Sequence, residues 1–261
     1  MKKLKFTKMV GSGNDFIVVS GEPSGNLSRL AKTLCDRKFG IGADGLLLLN
    51  KCKRADLSMR IFNADGSEAE MCGNGARCAA FFNGKAKTTL STAAGIIHTE
   101  VSGDQVKIQL TTPKDIRLDI PLNVNGRSLK VNFINTGVPH LVVFVHGIDK
   151  VDVKYLGRVM RNHQKFSPRG TNVNFVEEKG NNFIQIRTYE RGVEDETLAC
   201  GTGSTAAALI FALKKNLDNL IKVKTQSGEI LKVTFQKKSG EFIKVWLEGK
   251  VRIVYKGECY V

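Results

Sequence analysis

The 261-residue chain is poor in metal-binding chemistry. It has four histidines (98, 140, 146 and 163), widely spread, and six cysteines with no C-x-x-C pair and no His/Cys cluster. A zinc site is therefore not expected, and the metal expectation is none. Cysteines this sparse do not form a disulfide scaffold; in a reducing compartment they are free thiols, some with chemistry to perform. No run reaches the roughly 18 apolar residues of a membrane span. The basic start leads into Lys8, Gly11, Gly13, Asn14 and Asp15 instead of an apolar signal core. The expectation is a soluble, cytoplasmic protein with no membrane partner. Acidic residues are also in the minority, 25 against 40 Lys and Arg, for a formal charge of +15. Such a balance can mark nucleic-acid binding. Here the lysines are scattered and the densest groups, such as Lys214-Lys215 and Lys237-Lys238, are pairs. They read as solvated surface, and no nucleic-acid partner is expected. With 42% hydrophobic residues a normal core can form, and disorder is excluded.

What the chain does have is a repeat. Cys72-Gly73-Asn74-Gly75, followed by small helix formers, returns as Cys200-Gly201-Thr202-Gly203, and a glutamate stands four residues before each cysteine, Glu68 and Glu196. The loop at 39–44 recurs at 167–172 with the same offset. The first half reads as strands at 3–9, 16–19, 46–49 and 57–63, a helix at 27–36 capped by Asn26, a helix at 75–82, and two or three strands over 88–110. The second half reads as strands at 128–135, 141–145, 172–177 and 183–189, a helix at 152–161 capped by Asp152, and a helix at 202–215. Four strands follow at 221–225, 229–235, 242–247 and 251–255. An Asn125-Gly126 turn favours a hairpin before 128. The chain is thus expected to be a pseudo-duplicated α+β protein. Its halves are 1–117 and 118–261, with the last strand allowed to cross back to the first half.

Each repeated cysteine stands just before a helix N-terminus, where free N–H groups and the helix dipole favour negative charge. A thiolate is favoured there, and a substrate carboxylate can bind the N–H groups of Gly73, Asn74, Gly201 and Thr202. One thiolate can remove an α-proton while an opposite thiol supplies one to the other face, which inverts the centre without a cofactor. Two buried structural cysteines, or a Cys–His nucleophile using His140, are the other readings. Gly40-Ile41-Gly42-Ala43-Asp44-Gly45 has the G-x-G-x-x-G form, but a strand follows it, so a dinucleotide site is not expected. There is no P-loop. Asn14, Asn63 and Asn172 lie at strand–loop junctions, Arg191 is placed to clamp a second carboxylate, and His140 and Glu190 could pair.

These residues together resemble the diaminopimelate epimerase family. The resemblance rests on Gly13-Asn14-Asp15-Phe16, on Gly40 to Gly45, and on Phe62-Asn63-Ala64-Asp65-Gly66-Ser67-Glu68-Ala69-Glu70-Met71-Cys72-Gly73-Asn74-Gly75. It continues through Pro139-His140, Asn172-Val173-Asn174-Phe175, and Tyr189-Glu190-Arg191-Gly192 leading to Cys200-Gly201-Thr202-Gly203. It implies two similar domains, each a curved, mostly antiparallel sheet around a central helix. It also implies a cofactor-independent isomerase acting on diaminopimelate, in lysine and peptidoglycan precursor synthesis. Cys72 and Cys200 then carry over as the two acid/base groups. The four helix-end residues hold the α-carboxylate. Asn14, Asn63, Asn172, Glu190 and Arg191 hold the substrate, mostly its distal centre. His140 and Glu190 match an auxiliary pair near the reacting amino group, and Tyr255 matches a homodimer contact.

The chain departs from the family pattern in three places. Val138 stands where Asn is common, Gly45 stands where some members have glutamine, and the Glu190–Cys200 interval is one residue longer than usual. These bear on substrate choice and leave open a related racemase of the glutamate, proline or histidine type. A basic nucleic-acid-binding protein is the alternative of another class.

Overall fold

The structure is a computed structural model that describes residues 3–238 and 240–261; Lys2 of the basic start lies outside them. The chain divides into two compact units. One comprises residues up to Gln109 together with Gly249–Val261; the other is Leu110–Glu248.

The first unit contains β1 (Lys3–Gly11), β2 (Asn14–Ser20), α1 (Leu27–Cys35), β3 (Gly45–Asn50), β4 (Leu57–Asn63) and β5 (Glu68–Ala69). It continues with α2 (Gly73–Asn83), β6 (Lys87–Thr92), β7 (Gly95–Ser102) and β8 (Gln105–Gln109). Residues 251–260 of the last strand run antiparallel to β1, which is antiparallel to β2. Then β2–β3 is parallel, β3–β4 antiparallel, β4–β6 parallel, and β6–β7–β8 antiparallel. Val251 N–H donates to the Asp104 carbonyl at 2.8 Å, bringing the last strand back to the β7–β8 turn. The four leucines of β3 are all buried because this strand is covered on both faces. Leu46 and Leu48 pack with Ala31, Leu34 and Cys35 of α1, whereas Leu47 faces Gly75 of α2.

The second unit contains β9 (Lys114–Val124), β10 (Arg127–Asn135), β11 (Pro139–Phe144), α3 (Val153–Arg161), β12 (Asn172–Gly180), β13 (Phe183–Glu190) and β14 (Asp195–Thr197). It ends with α4 (Gly201–Lys214), β15 (Leu220–Lys224), β16 (Ile230–Lys238) and the start of β17 (Glu241–Tyr260). Its pairings repeat the first unit's sequence. β9–β10–β11 are antiparallel, β11–β12 parallel, β12–β13 antiparallel, β13–β15 parallel, and β15–β16–β17 antiparallel. Leu141 and Val143 of β11 share a core with Val153 and Met160 of α3. Phe144, on the alternate face, meets Phe211 of α4 with ring centroids 6.3 Å apart. Residues 203–212 of α4 are all buried. At about 1.5–3 kcal/mol for each large apolar side chain, Leu209, Ile210 and Phe211 make this helix the centre of its unit. The duplicated α+β architecture is as the spacing predicts.

Local signals hold where they are strong. Asn26 accepts from Arg29 N–H at 3.0 Å to cap α1, and Asp152 accepts from Tyr155 N–H at 3.0 Å to cap α3. Asn125 and Gly126 take positive φ, 51° and 79°, and turn β9 into β10. The extent of β9 is not legible in the sequence. It holds Pro121 and two aspartates at positive φ, and most of its side chains are exposed. The strands expected at 242–247 and 251–255 are one 20-residue strand. Glu248-Gly249-Lys250, left between the two expected strands, runs extended, because each half of the strand has a partner, β16 before it and β1 after it.

Candidate active site

In the first unit the chain passes from the short strand β5 into α2, with Cys72 as the N-cap in extended backbone, φ −140°. The Cys72 Sγ accepts from Gly75 N–H at 3.5 Å, and Ala76 N–H closes the first turn onto the Cys72 carbonyl at 2.8 Å. The N–H groups of Gly73 and Asn74 belong to the helix end that has no intrahelical acceptor. Below them lies a buried cation. Arg77 is fully buried and donates through one Nη to Ser12 Oγ and to Asn74 Oδ1, both at 2.6 Å. Asn74 in turn donates to Asn14 Oδ1, and Asn14 Nδ2 donates to Asp44 at 3.1 Å. Asp44 and Asp15 share Arg37, and Lys8 pairs with Asp15 at 2.7 Å. Burial works against charge on Asp15, but Arg37 and Lys8 outweigh it and hold the carboxyl far below its usual range. Asn14 is thus fixed between α2 and an ionic cluster. Asn63, at the end of β4, donates to Ser67 Oγ at 2.9 Å and helps form the turn at 63–67. Tyr255 pairs with Lys8 in the β1–β17 ladder, sets its ring edge-on to Phe6 at 5.8 Å, and is 44% exposed.

In the second unit Cys200 is the N-cap of α4, with no side-chain cap bond. Its Sγ lies 3.5 Å from Thr202 Oγ1, and it hydrogen-bonds the Glu190 carboxylate. Burial pushes Glu190 above the usual carboxylate range, against the bonds from Thr197 and Cys200. Thr197 Oγ1 donates to Glu190 Oε2 at 3.0 Å. Parallel pairing puts His140 of β11 beside Asn172 of β12. The Asn172 side chain donates to the Pro139 carbonyl at 3.0 Å and accepts from Arg191 N–H at 2.9 Å. It therefore joins the start of β11 to the loop after β13. Arg191 also donates to the Arg169 carbonyl at 3.3 Å. His140 is fully buried; burial first, then the charge of Arg191, pull its pKa down to about 3. Glu190 and His140 bond different groups, Thr197 and Cys200 for the first, Asn174 for the second. Thr136 Oγ1 donates to the Thr202 carbonyl at 3.1 Å, tying the loop at 135–138 to the first turn of α4.

The longer interval between Glu190 and Cys200 is held by its own acids. Glu194, at φ 59°, accepts from Arg161 of α3 through both carboxylate oxygens at 2.9–3.1 Å, from Gly192 N–H at 3.0 Å and from Tyr189 OH at 3.4 Å. Asp195 pairs with Lys154, and Glu196 makes a two-pronged pair with Arg187 at 2.7 Å. Sequence reasoning did not single out Arg77, Asn174 or the Arg161–Glu194 pair as site residues. Arg77 had a signal, a lone cation within a run of alanines and small residues. The others are met only through distant partners.

Every cysteine among the described residues is a free thiol. Burial pushes Cys35 up to about 11, as suits a thiol packed in the α1 core. No helix among the described residues is long and apolar enough to cross a membrane, and none of their His, Cys, Asp and Glu side chains group into a metal-holding set.

The chain as a whole is similar to known proteins. The family model described as diaminopimelate epimerase matches residues 6–116 and 132–254. A diaminopimelate epimerase of Aquifex aeolicus is 42% identical over 97% of this chain and 97% of its own, and one from Methanocella arvoryzae is 41% identical over 100% and 98%. Among solved structures, a phenazine biosynthesis protein of the PhzF family from Bacillus anthracis superposes with a TM-score of 0.75 at 20% identity, covering both chains fully. A hydroxyproline epimerase from Agrobacterium vitis superposes at 0.73 with 16% identity, covering 98% of this chain and 92% of that one. The two solved structures support the α+β fold, and the full-length matches at about 40% identity settle the family: the chain belongs to the diaminopimelate epimerases, a family of isomerases.

Proposed function

We propose that this chain interconverts LL- and meso-diaminopimelate, in the cytoplasm, as a step toward lysine and peptidoglycan precursors. The observation that carries this reading is the full-length family match, in a chain whose two repeated cysteines each cap a helix. In the proposed reaction the substrate α-carboxylate takes the free N–H groups of Gly73, Asn74, Gly201 and Thr202, where helix ends favour an anion. One cysteine, as thiolate, accepts the α-proton and becomes a thiol. The electron pair left on the α-carbon is stabilised beside the bound carboxylate. The other cysteine, as thiol, delivers its proton to the opposite face and becomes the thiolate. Proton count and charge balance over the cycle, and the two cysteines exchange roles in the reverse direction.

In this reading Glu190 and His140 lie near the reacting amino group. Asn14, Asn63, Asn172, Glu190 and Arg191 hold the substrate, mostly its distal end, and Tyr255 contributes to a homodimer contact. Its exposed ring supports that last role. Solvent-deuterium incorporation at the α-carbon, measured across diaminopimelate, glutamate, proline and histidine, tests the substrate. Exchange confined to another amino acid would overturn it. Cys72→Ala and Cys200→Ala are each expected to lose at least about 10²-fold in epimerisation, the scale of a lost acid/base group; full activity in either variant sinks the two-base scheme.

A further inference from the structure

Asn174 lies on β12, two residues beyond Asn172, and is fully buried. Its amide has one permitted orientation. The Leu141 carbonyl, 2.9 Å from Nδ2, can only accept, so the NH2 side faces it. On the other side Thr188 Oγ1 donates to Asn174 Oδ1 at 3.0 Å. The remaining amide hydrogen meets the His140 Nδ1 at 3.2 Å. A nitrogen that accepts this hydrogen carries none, so the ring proton of neutral His140 sits on Nε2. That Nε2 is buried and has no hydrogen-bond partner among the described residues. A buried donor left unpaired costs about 1–3 kcal/mol, so an acceptor that reached Nε2 would recover that cost.

The same amide touches the cysteine helix. A Cβ placed on Gly203 would come within 2.4 Å of Asn174 Oδ1 and 3.3 Å of the Cys200 Sγ. Glycine is required at 203 because Asn174 occupies that space. We propose that Asn174 is a positioning residue that holds His140 in the Nε2–H tautomer, so that the imidazole meets the substrate complex as a hydrogen-bond donor. This rests on the reading that His140 faces the reacting centre. A donor can stabilise a thiolate or a carboxylate, and it cannot accept from a substrate ammonium group. The acceptor for that ammonium is then the Glu190 carboxylate. Burial supports the neutral ring.

The test is the nitrogen-15 chemical-shift pattern of the histidine rings in the full-length protein, with His140→Gln used to assign the signal. The expected result is a neutral Nε2–H ring for His140 from about pH 5 to 8, where an unperturbed histidine would titrate. In Asn174→Asp the carboxylate accepts from Nδ1–H, so the ring is expected to become the Nδ1–H tautomer or the imidazolium. Turnover of diaminopimelate is expected to fall at least tenfold while KM changes less than about twofold. Thr188→Val, which removes the hydroxyl that orients the amide, is expected to give a tautomer mixture. A wild-type Nδ1–H ring overturns the proposal whether or not the variants fold, and so does an Asn174→Asp protein that keeps Nε2–H. The expected ring states in a protein that does not exchange the α-proton of diaminopimelate would support the tautomer and overturn the substrate reading instead.

Discussion

The two units use one sequence of strand pairings and one kind of central helix, yet they surround their cysteines with opposite chemistry. In α2 the turn after Cys72 rests on a buried guanidinium, Arg77, which reaches Ser12 and Asn74, and the thiol takes an N–H from Gly75. In α4 the buried stretch 203–212 contains no charged residue. Thr205 bonds back to the Gly201 carbonyl at 3.0 Å, residues 206–213 are all apolar, and the thiol meets a carboxylate, Glu190. The duplicated backbone supplies the same helix end twice. The side chains beneath and beside it make one end cationic and give the other an acid. Two copies of one backbone feature thus stand in unequal electrostatic surroundings.

The largest effect that would break this contrast is expected from Arg77→Met. Asn74 Oδ1 and Ser12 Oγ would lose their donor inside the unit, at a cost of about 2–5 kcal/mol in urea unfolding. A change below about 1 kcal/mol would show that the buried cation is not what holds the α2 end. The second effect concerns acid. Folded His140 refuses a proton that the unfolded chain accepts between its ordinary value near 6.5 and about 3. Stability therefore falls as pH drops through that window, by a few kcal/mol at about 1.4 kcal/mol per pKa unit. His140→Gln should flatten the acid limb of Tm against pH. Glu190 has the opposite sign. Its raised folded value means it keeps a proton that the unfolded chain releases, so its contribution falls as pH rises above the ordinary carboxylate value. Glu190→Gln should remove that loss, and an unchanged profile in both variants would refute the assignment.

A smaller effect is expected from Glu194→Ala, which frees the loop carrying Arg191 from Arg161. KM for diaminopimelate should rise roughly three- to tenfold with kcat within about twofold, because in the proposed reaction Arg191 positions the distal end and the proposed acid/base groups are not touched. A fall in kcat at constant KM would place Glu194 elsewhere. The smallest is Thr205→Ala, expected to cost about 1 kcal/mol or less since it removes one local back-bond and a methyl group. If it matched Arg77→Met, the two helices would be held alike.

Much of this molecule is written in short-range signals. The Cys-Gly-x-Gly repeats, the Asn26 and Asp152 caps, the Asn125-Gly126 turn and the period of each helix are read within a few residues, because capping bonds and backbone sterics act within a turn. Those signals, with the order of the motifs along the chain, were enough to reach the duplicated α+β fold and the family. Tertiary structure decided what depends on partners tens of residues away. Pro121 and two left-handed aspartates argue against a strand, yet β9 forms because β10 supplies its ladder. Glu248-Gly249-Lys250 separates two expected strands and is extended because both halves of β17 are paired. Arg77 is buried because Ser12 and Asn74 meet its donors, and Asn174 is an orienting group because Thr188, Leu141 and His140 meet on it. Hydrogen-bond satisfaction in the interior is a property of the assembled fold, and no single stretch of sequence contains it.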